Sequence, residues 1–143
     1  MKSTITRAIL LVAPVIDALQ EQLAADFPLL RLYEQEDPIA FLREQGENIA
    51  AVVTRGDIGV QNSVLELLPH VGLIAIFGVG TDAVDLEYVR SRQIQVSITS
   101  GVLTNDVADL AMGLLLAGSR NLCQGDRFVR EGRWEKGGMP LAT

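Results

Sequence analysis

The chain has 143 residues, of which 48% are hydrophobic and 21% are charged, and its net charge at pH 7 is −6. This composition fits a folded domain and excludes a disordered chain, because enough apolar surface can be buried to offset the entropy lost on ordering. The acidic balance argues against nucleic acid as a partner, and the single cysteine excludes an internal disulfide. No apolar stretch reaches the ~20 residues of a membrane span. We therefore expect a cytoplasmic protein that binds neither nucleic acid nor membrane.

Five short apolar runs alternate with segments of helical periodicity along the first two thirds of the chain. The runs predict strands at residues 8–13, 29–33, 50–54, 72–77 and 94–99. The intervening segments predict helices at residues 15–27, 38–45, 62–68 and 83–92. Asp37 before Pro38, and Asn62, are the expected helix caps. Because strands alternate with helices, we predict an α/β fold with a flavodoxin-like, doubly wound parallel sheet covered on both faces, in the order 2-1-3-4-5.

The pattern changes after the fifth strand. Residues 104–130 contain no proline and predict one long helix, with Thr104 as its cap and Asp106 in the first turn, where the helix dipole favours an acid. Residues 107–117 are apolar almost all round, so this helix must be buried on more than one side. We therefore divide the chain into a flavodoxin-like domain at residues 1–103 and a helical segment at residues 104–143.

Two glycine-containing loops are the candidate binding site, because ligands of a doubly wound sheet bind beyond the carboxyl ends of its strands. The third strand is followed by Thr54–Gly59 and the fourth by Gly78–Ala83. Their exposed backbone N–H groups would form a nest for an anion, and Arg55 would add a positive charge. Glycine could instead serve only the tight turns.

The same loops exclude other ligand classes. Residues 14–16, after the first strand, lack both the serine/threonine cluster of a flavin mononucleotide site and the acidic pair of a phosphoacceptor domain. Gly78-x-Gly80-x-x-Ala83 matches a loose dinucleotide fingerprint, but the next strand ends in Thr99 and Ser100 rather than in the acid that would bind the ribose, so we reject NAD binding there. We expect no metal site, since His70 is the only histidine, and we place it at the surface or at a helix end.

Three segments of the sequence together carry a specific resemblance: FGVGTDAVDLEYVRSRQIQV, GVLTNDVADLAMGLLLAGSR and REGRW. They resemble the amino-terminal half of D-isomer-specific 2-hydroxyacid dehydrogenases, most closely the hydroxypyruvate/glyoxylate reductase branch, over residues 50–143. The resemblance implies a site for the substrate carboxylate at Arg55 and Gly56 together with the backbone amides of Gly78, Val79 and Gly80. It also implies that Thr104 lies near the nicotinamide of the cofactor.

By this resemblance, the whole protein reduces a small 2-oxoacid such as glyoxylate or hydroxypyruvate with NADP or NAD as its cofactor. The family takes its catalytic arginine, glutamate and histidine, and its NAD(P) loop, from later in the sequence, so we expect no catalytic residue in these 143 residues and no activity from them alone. The helix from Thr104 to Trp134 would form the contact of a homodimer. An alternative remains open on the residues alone: a free-standing flavodoxin-like module that binds a small anion or a partner without catalysis.

Overall fold

The computed structural model describes residues 7–139, which fall into two units that divide between Ser100 and Gly101. The first unit contains the strands β1 (Ala8–Leu11), β2 (Leu29–Arg31), β3 (Ile49–Arg55), β4 (Leu73–Phe77) and β5 (Gln95–Ile98). Its helices are α1 (Asp17–Asp26), α2 (Pro38–Gln45), α3 (Asn62–Leu65) and α4 (Leu86–Ser91), with 3-10 turns at Leu32–Glu34 and Gly46–Asn48. The second unit contains α5 (Thr104–Ser119), α6 (Leu122–Arg130) and a 3-10 turn at Arg133–Lys136.

The five strands form one parallel sheet in the order β2-β1-β3-β4-β5, which confirms the predicted topology. All four residues of β1, at the interior of the sheet, are buried. A strand that is covered on both faces has no polar side, and this is why β1 is a continuous apolar run rather than an alternating one.

Helices cover the two faces of this sheet unequally. On one face, α2, α3 and α4 enclose the larger core, to which they contribute Leu42, Leu65 and Val89. On the other face α1 covers the smaller core, which includes Leu11 and Val53 of β1 and β3. On the β4 side of that second face, Leu73 and Phe77 remain 36% and 39% exposed. Helices therefore lie on both faces of the sheet, as predicted, and the first unit leaves only the β4 side of the second face uncovered.

Aspartates cap two of the helices. Asp37 accepts a hydrogen bond from the N–H of Ala40 at 3.0 Å, which confirms the predicted start of α2. Asp85 accepts one from the N–H of Tyr88 at 2.9 Å, so α4 begins one residue after this cap. The predicted start at Ala83 is wrong, because Asp85, rather than Asp82, accepts the hydrogen bond from the first orphan amides.

Helix α3 also differs from its prediction. Asn62 is not the N-cap but the first helical residue, and Gln61 precedes the helix without a side-chain cap bond. The side-chain amide of Asn62 donates instead to Oδ2 of Asp85 at 2.9 Å, which connects the start of α3 to the start of α4. The helix ends at Leu65 rather than at residue 68.

The long helix after the sheet is present, but its predicted extent to residue 130 is wrong. It ends at Ser119, and α6 begins at Leu122, because Asn121 between them has a φ of 51°, a left-handed conformation that asparagine tolerates better than most residues. The predicted cap is also wrong: Leu103 precedes α5, and Thr104 is its first residue. Within residues 7–139, no residue of α5 is buried and no helix is long and apolar enough to cross a membrane.

Gly59 provides a test of how the loops at the carboxyl edge are held. Its φ is +63°, and an added Cβ would lie 1.8 Å from the carbonyl oxygen of Ala83. We expect Gly59→Ala to lower the free energy of unfolding by at least about 2 kcal/mol, since both the left-handed backbone and the overlap oppose a side chain. Gly72→Ala is the control, because a Cβ there meets nothing within 4 Å. Urea denaturation measures both variants, and equal losses would contradict the prediction.

Candidate functional site

The loops after β3 and β4 lie side by side at the carboxyl edge of the sheet, where doubly wound sheets bind ligands. Arg55, the last residue of β3, is in register with Phe77, the last residue of β4, so both loops begin at the same level. Gly56 then approaches Gly80 so closely that a Cβ added to Gly56 would lie 2.9 Å from the carbonyl oxygen of Gly80. The structure thus brings together the five residues predicted to bind a carboxylate. We call the surface formed by Arg55, Gly56, Gly78, Val79 and Gly80 the glycine cradle.

Further contacts fasten the two loops behind the glycine cradle. Val60 and Val84 form an isolated parallel bridge. The buried hydroxyl of Thr54 donates to the carbonyl oxygen of Gly59 at 2.6 Å, which closes the first loop on itself. The N–H of Gly59 donates to the carbonyl oxygen of Arg55 at 2.8 Å. The loop conformation therefore depends on backbone contacts and a buried hydroxyl, not on the side chains at the surface of the cradle.

The backbone N–H groups of the cradle differ in their availability. The N–H of Gly78 donates to the hydroxyl of Thr99 at 3.1 Å, and the N–H of Thr99 donates back to the carbonyl of Gly78 at 2.9 Å. By contrast, residues 7–139 offer no hydrogen-bond acceptor to the N–H of Gly56, Val79 or Gly80. A ligand would thus find donors at these residues, while Gly78 shapes the turn. Thr99 was not identified from the sequence, although its place at the end of the neighbouring strand was an available signal.

The two facing glycines of the cradle differ in the space available for a side chain. A Cβ added to Gly56 would press on the backbone of Gly80, so glycine is needed there for the loops to approach. A Cβ added to Gly80 would meet only the carbonyl oxygen of Gly56, at 4.0 Å. Since the turn itself does not require glycine at this position, space for a ligand is the better explanation of Gly80.

Arg55 carries the positive charge of the cradle and is paired with Asp57. Its Nε donates to Oδ1 of Asp57 at 2.9 Å, and its Nη2 donates to Oδ2. Hydrogen bonding to Asp57, and then the charge of Asp57, raise the pKa of Arg55, while the hydrogen bond from Arg55 lowers the pKa of Asp57. The side chains are 40% and 60% exposed, so solvent screens the pair. The sequence analysis did not identify this partner, although both residues stand in one tight turn.

The other residues considered from the sequence are not part of the cradle. Thr104 is in the second unit, as the first residue of α5. His70 is exposed, as predicted, and its Nε2 lies 3.0 Å from Oε2 of Glu47. Among residues 7–139, no three histidine, cysteine, aspartate or glutamate side chains are grouped so as to hold a metal ion.

The loop after β4 does not fit a dinucleotide. Residues 78–85 separate the end of β4 from the start of α4, so the glycines lie well before the helix N-terminus that would bind a pyrophosphate. The neighbouring strand β5 ends at Ile98 and is followed by Thr99 and Ser100, which supply no carboxylate for a ribose. The donor set of this loop suits a small anion instead.

Comparisons with known sequences agree with this architecture. The family model for the D-isomer specific 2-hydroxyacid dehydrogenase, catalytic domain, matches residues 9–137. The hydroxyphenylpyruvate reductase of Plectranthus scutellarioides is 38% identical over 135 residues, which cover 94% of this chain and 43% of that protein. The chain therefore spans less than half the length of this curated relative.

Solved structures of 2-hydroxyacid dehydrogenases and related reductases also superimpose on this chain. A 2-hydroxyacid dehydrogenase from Ketogulonicigenium vulgare superimposes with a TM-score of 0.88 at 42% identity, over 95% of this chain and 43% of its own. An NADPH-dependent glyoxylate/hydroxypyruvate reductase from Sinorhizobium meliloti, in complex with NADP and malonate, superimposes with a TM-score of 0.79 at 32% identity. That match covers 96% of this chain and 42% of the reductase.

The facing glycines of the cradle provide a second test of stability. We expect Gly56→Ala to lower the free energy of unfolding by about 1–3 kcal/mol, because the new methyl group must displace the backbone of Gly80. We expect Gly80→Ala to stay within about 0.5 kcal/mol of the unaltered chain, because its methyl group enters open space. Urea denaturation followed by circular dichroism measures both. A comparable loss in Gly80→Ala would show that the turn needs this glycine and would remove its assignment to ligand space.

Proposed function

We propose, because this chain belongs to the D-isomer specific 2-hydroxyacid dehydrogenase family, that its glycine cradle binds the carboxylate of a small 2-oxoacid that the whole protein reduces to a D-2-hydroxyacid. The observation that carries the proposal is the juxtaposition of an arginine with backbone N–H donors that find no acceptor within residues 7–139. Glyoxylate and hydroxypyruvate are the substrates we favour, since these are the acids in the name of the Sinorhizobium meliloti relative.

Charge and shape both suit a small carboxylate in the cradle. The backbone N–H groups of Val79 and Gly80 have no acceptor among residues 7–139, and a guanidinium is the side chain that matches a carboxylate best. The absence of a side chain at Gly80 leaves room for the acid to approach the backbone. The Sinorhizobium meliloti reductase was solved with malonate and, in a second structure, with citrate, and these complexes support a carboxylate ligand.

The redox chemistry is proposed to come from groups outside the cradle. A nicotinamide cofactor, NADP or NAD, supplies the hydride when it is bound, and Thr104 is the residue of this chain that we propose lies near it. His70 is unsuited to donate the proton, because it precedes β4 and so lies about 16 Å from the cradle, the length of a five-residue strand. We therefore propose that the catalytic histidine, arginine and glutamate lie outside these 143 residues, which alone would be inactive.

Arg55 is tested by substitution in the full-length protein. We expect Arg55→Ala to raise the KM for glyoxylate or hydroxypyruvate roughly tenfold, because a charge-assisted hydrogen bond to the substrate is lost. The KM for NADH or NADPH should not change, and steady-state kinetics with each substrate varied in turn measures both. Arg43→Ala is the control, since it removes the same charge from an exposed position in α2.

The outcomes of that experiment separate the alternatives. An unchanged KM in Arg55→Ala would remove the carboxylate assignment. If the full-length protein oxidises no NADH or NADPH with any small 2-oxoacid, the free-standing anion-binding module becomes the better description of this chain.

We also propose a homodimer in which the segment from Thr104 to Trp134 forms the contact, with α5 as its centre. Six large apolar side chains of α5 are between 51% and 64% exposed: Val107, Leu110, Met112, Leu114, Leu115 and Leu116. An uncovered patch of this kind favours aggregation, and burying each such side chain contributes about 1.5–3 kcal/mol. A two-fold dimer is the commonest closed assembly that would cover it.

Light scattering after gel filtration tests the dimer. We expect the mass of two subunits for the unaltered protein, and dissociation or unfolding for Leu115→Asp, because the variant would bury an unpaired charge. Ile39→Asp is the control, since Ile39 is also exposed but lies on α2. A mass of one subunit for the unaltered protein at high micromolar concentration would refute the interface.

A further inference from the structure

The guanidinium of Arg55 is already occupied by a carboxylate. Both oxygens of Asp57 accept hydrogen bonds from it, one from Nε at 2.9 Å and the other from Nη2. This two-point arrangement is the one that a carboxylate ligand adopts on arginine. We propose that Asp57 competes with the substrate carboxylate for Arg55, and so limits how tightly the glycine cradle holds its acid. The inference rests on the proposed function, which it deepens by naming a residue that sets affinity.

Asp57 can leave Arg55 without disturbing the loop. Its side chain is 60% exposed, so water can solvate the released carboxylate. The turn is held by other contacts: the carbonyl of Arg55 accepts the N–H of Gly59 at 2.8 Å, and the buried Thr54 closes the loop. The ion pair is therefore a contact that a ligand can replace, not a support of the backbone.

The two possible roles of Asp57, as a competitor for Arg55 or as a residue that positions Arg55, predict opposite effects of its removal on substrate binding. If Asp57 mainly held Arg55 in a productive orientation, its removal would weaken substrate binding. If Asp57 competes, its removal leaves a guanidinium with no carboxylate partner among residues 7–139, and substrate binding becomes stronger. The exposure of both side chains favours competition, because an exposed pair restrains its members only weakly.

The decisive variant is Asp57→Asn in the full-length protein, since it keeps the size of the side chain and removes its charge. We expect the KM for glyoxylate to fall about two- to fivefold, in keeping with the small contribution of an exposed ion pair, with kcat unchanged. Asp26→Asn is the matched control: it removes the same charge from an exposed residue at the end of α1, at the opposite edge of the sheet. In an Arg55→Ala background, Asp57→Asn should have no effect. An equal or higher KM in the single variant overturns the proposal.

A binding measurement that needs no turnover separates this inference from the proposed function. The Nε–H signal of Arg55, assigned by its loss in Arg55→Lys, is followed by NMR during titration with acetate as the carboxylate probe. We expect Asp57→Asn to bind acetate two- to fivefold more tightly than the unaltered protein. If this difference appears in a protein that reduces no 2-oxoacid, the proposed function fails and the inference stands. If the protein is an active reductase and the acetate affinities are equal, the inference fails alone.

Discussion

The close backbone approach of the loops after β3 and β4 is the constraint on which the candidate site depends. Parallel register brings the ends of the two strands level, but the loops can touch only where side chains are missing. Gly56 permits contact with Gly80, and Gly59 permits contact with Ala83. A side chain at Gly56 or Gly59 would push the loops apart and separate the arginine of one loop from the amide donors of the other.

The two units differ in how far their apolar side chains are buried. The first unit encloses its own core, in which Leu10, Ile74 and Leu65 have no exposed surface. In the second unit, α5 is apolar almost all round between residues 107 and 117 and has no buried residue within the described part of the chain. A helix of this composition is stable in water only when another surface covers it. This contrast is the physical basis of the proposed dimer, and it does not affect the cohesion of the sheet.

Much of the fold follows from local sequence, because apolar runs and glycine turns report strands and their ends directly. The strand positions and the sheet order were predictable, as was the Asp37 cap of α2. The errors lie where a side chain serves a distant partner or an unusual backbone. Asn62 could cap α3, but its side chain bonds to Asp85, the cap of another helix. Asn121 breaks the chain after α5 with no proline nearby and no glycine at the left-handed position.

The sequence by itself determined which residues the candidate site contains, since glycine loops and Arg55 stand at the ends of neighbouring strands. Only the tertiary structure decided the contacts that these residues make. The N–H of Gly78 is engaged by Thr99, which is 21 residues away. The space around Gly80 and the close contact of Gly56 with the backbone of Gly80 depend on the distance between two loops. The pairing of Arg55 with Asp57 depends on the shape of one turn. Residue type fixes which bonds a group can make, but the distances set by folding decide which of them form.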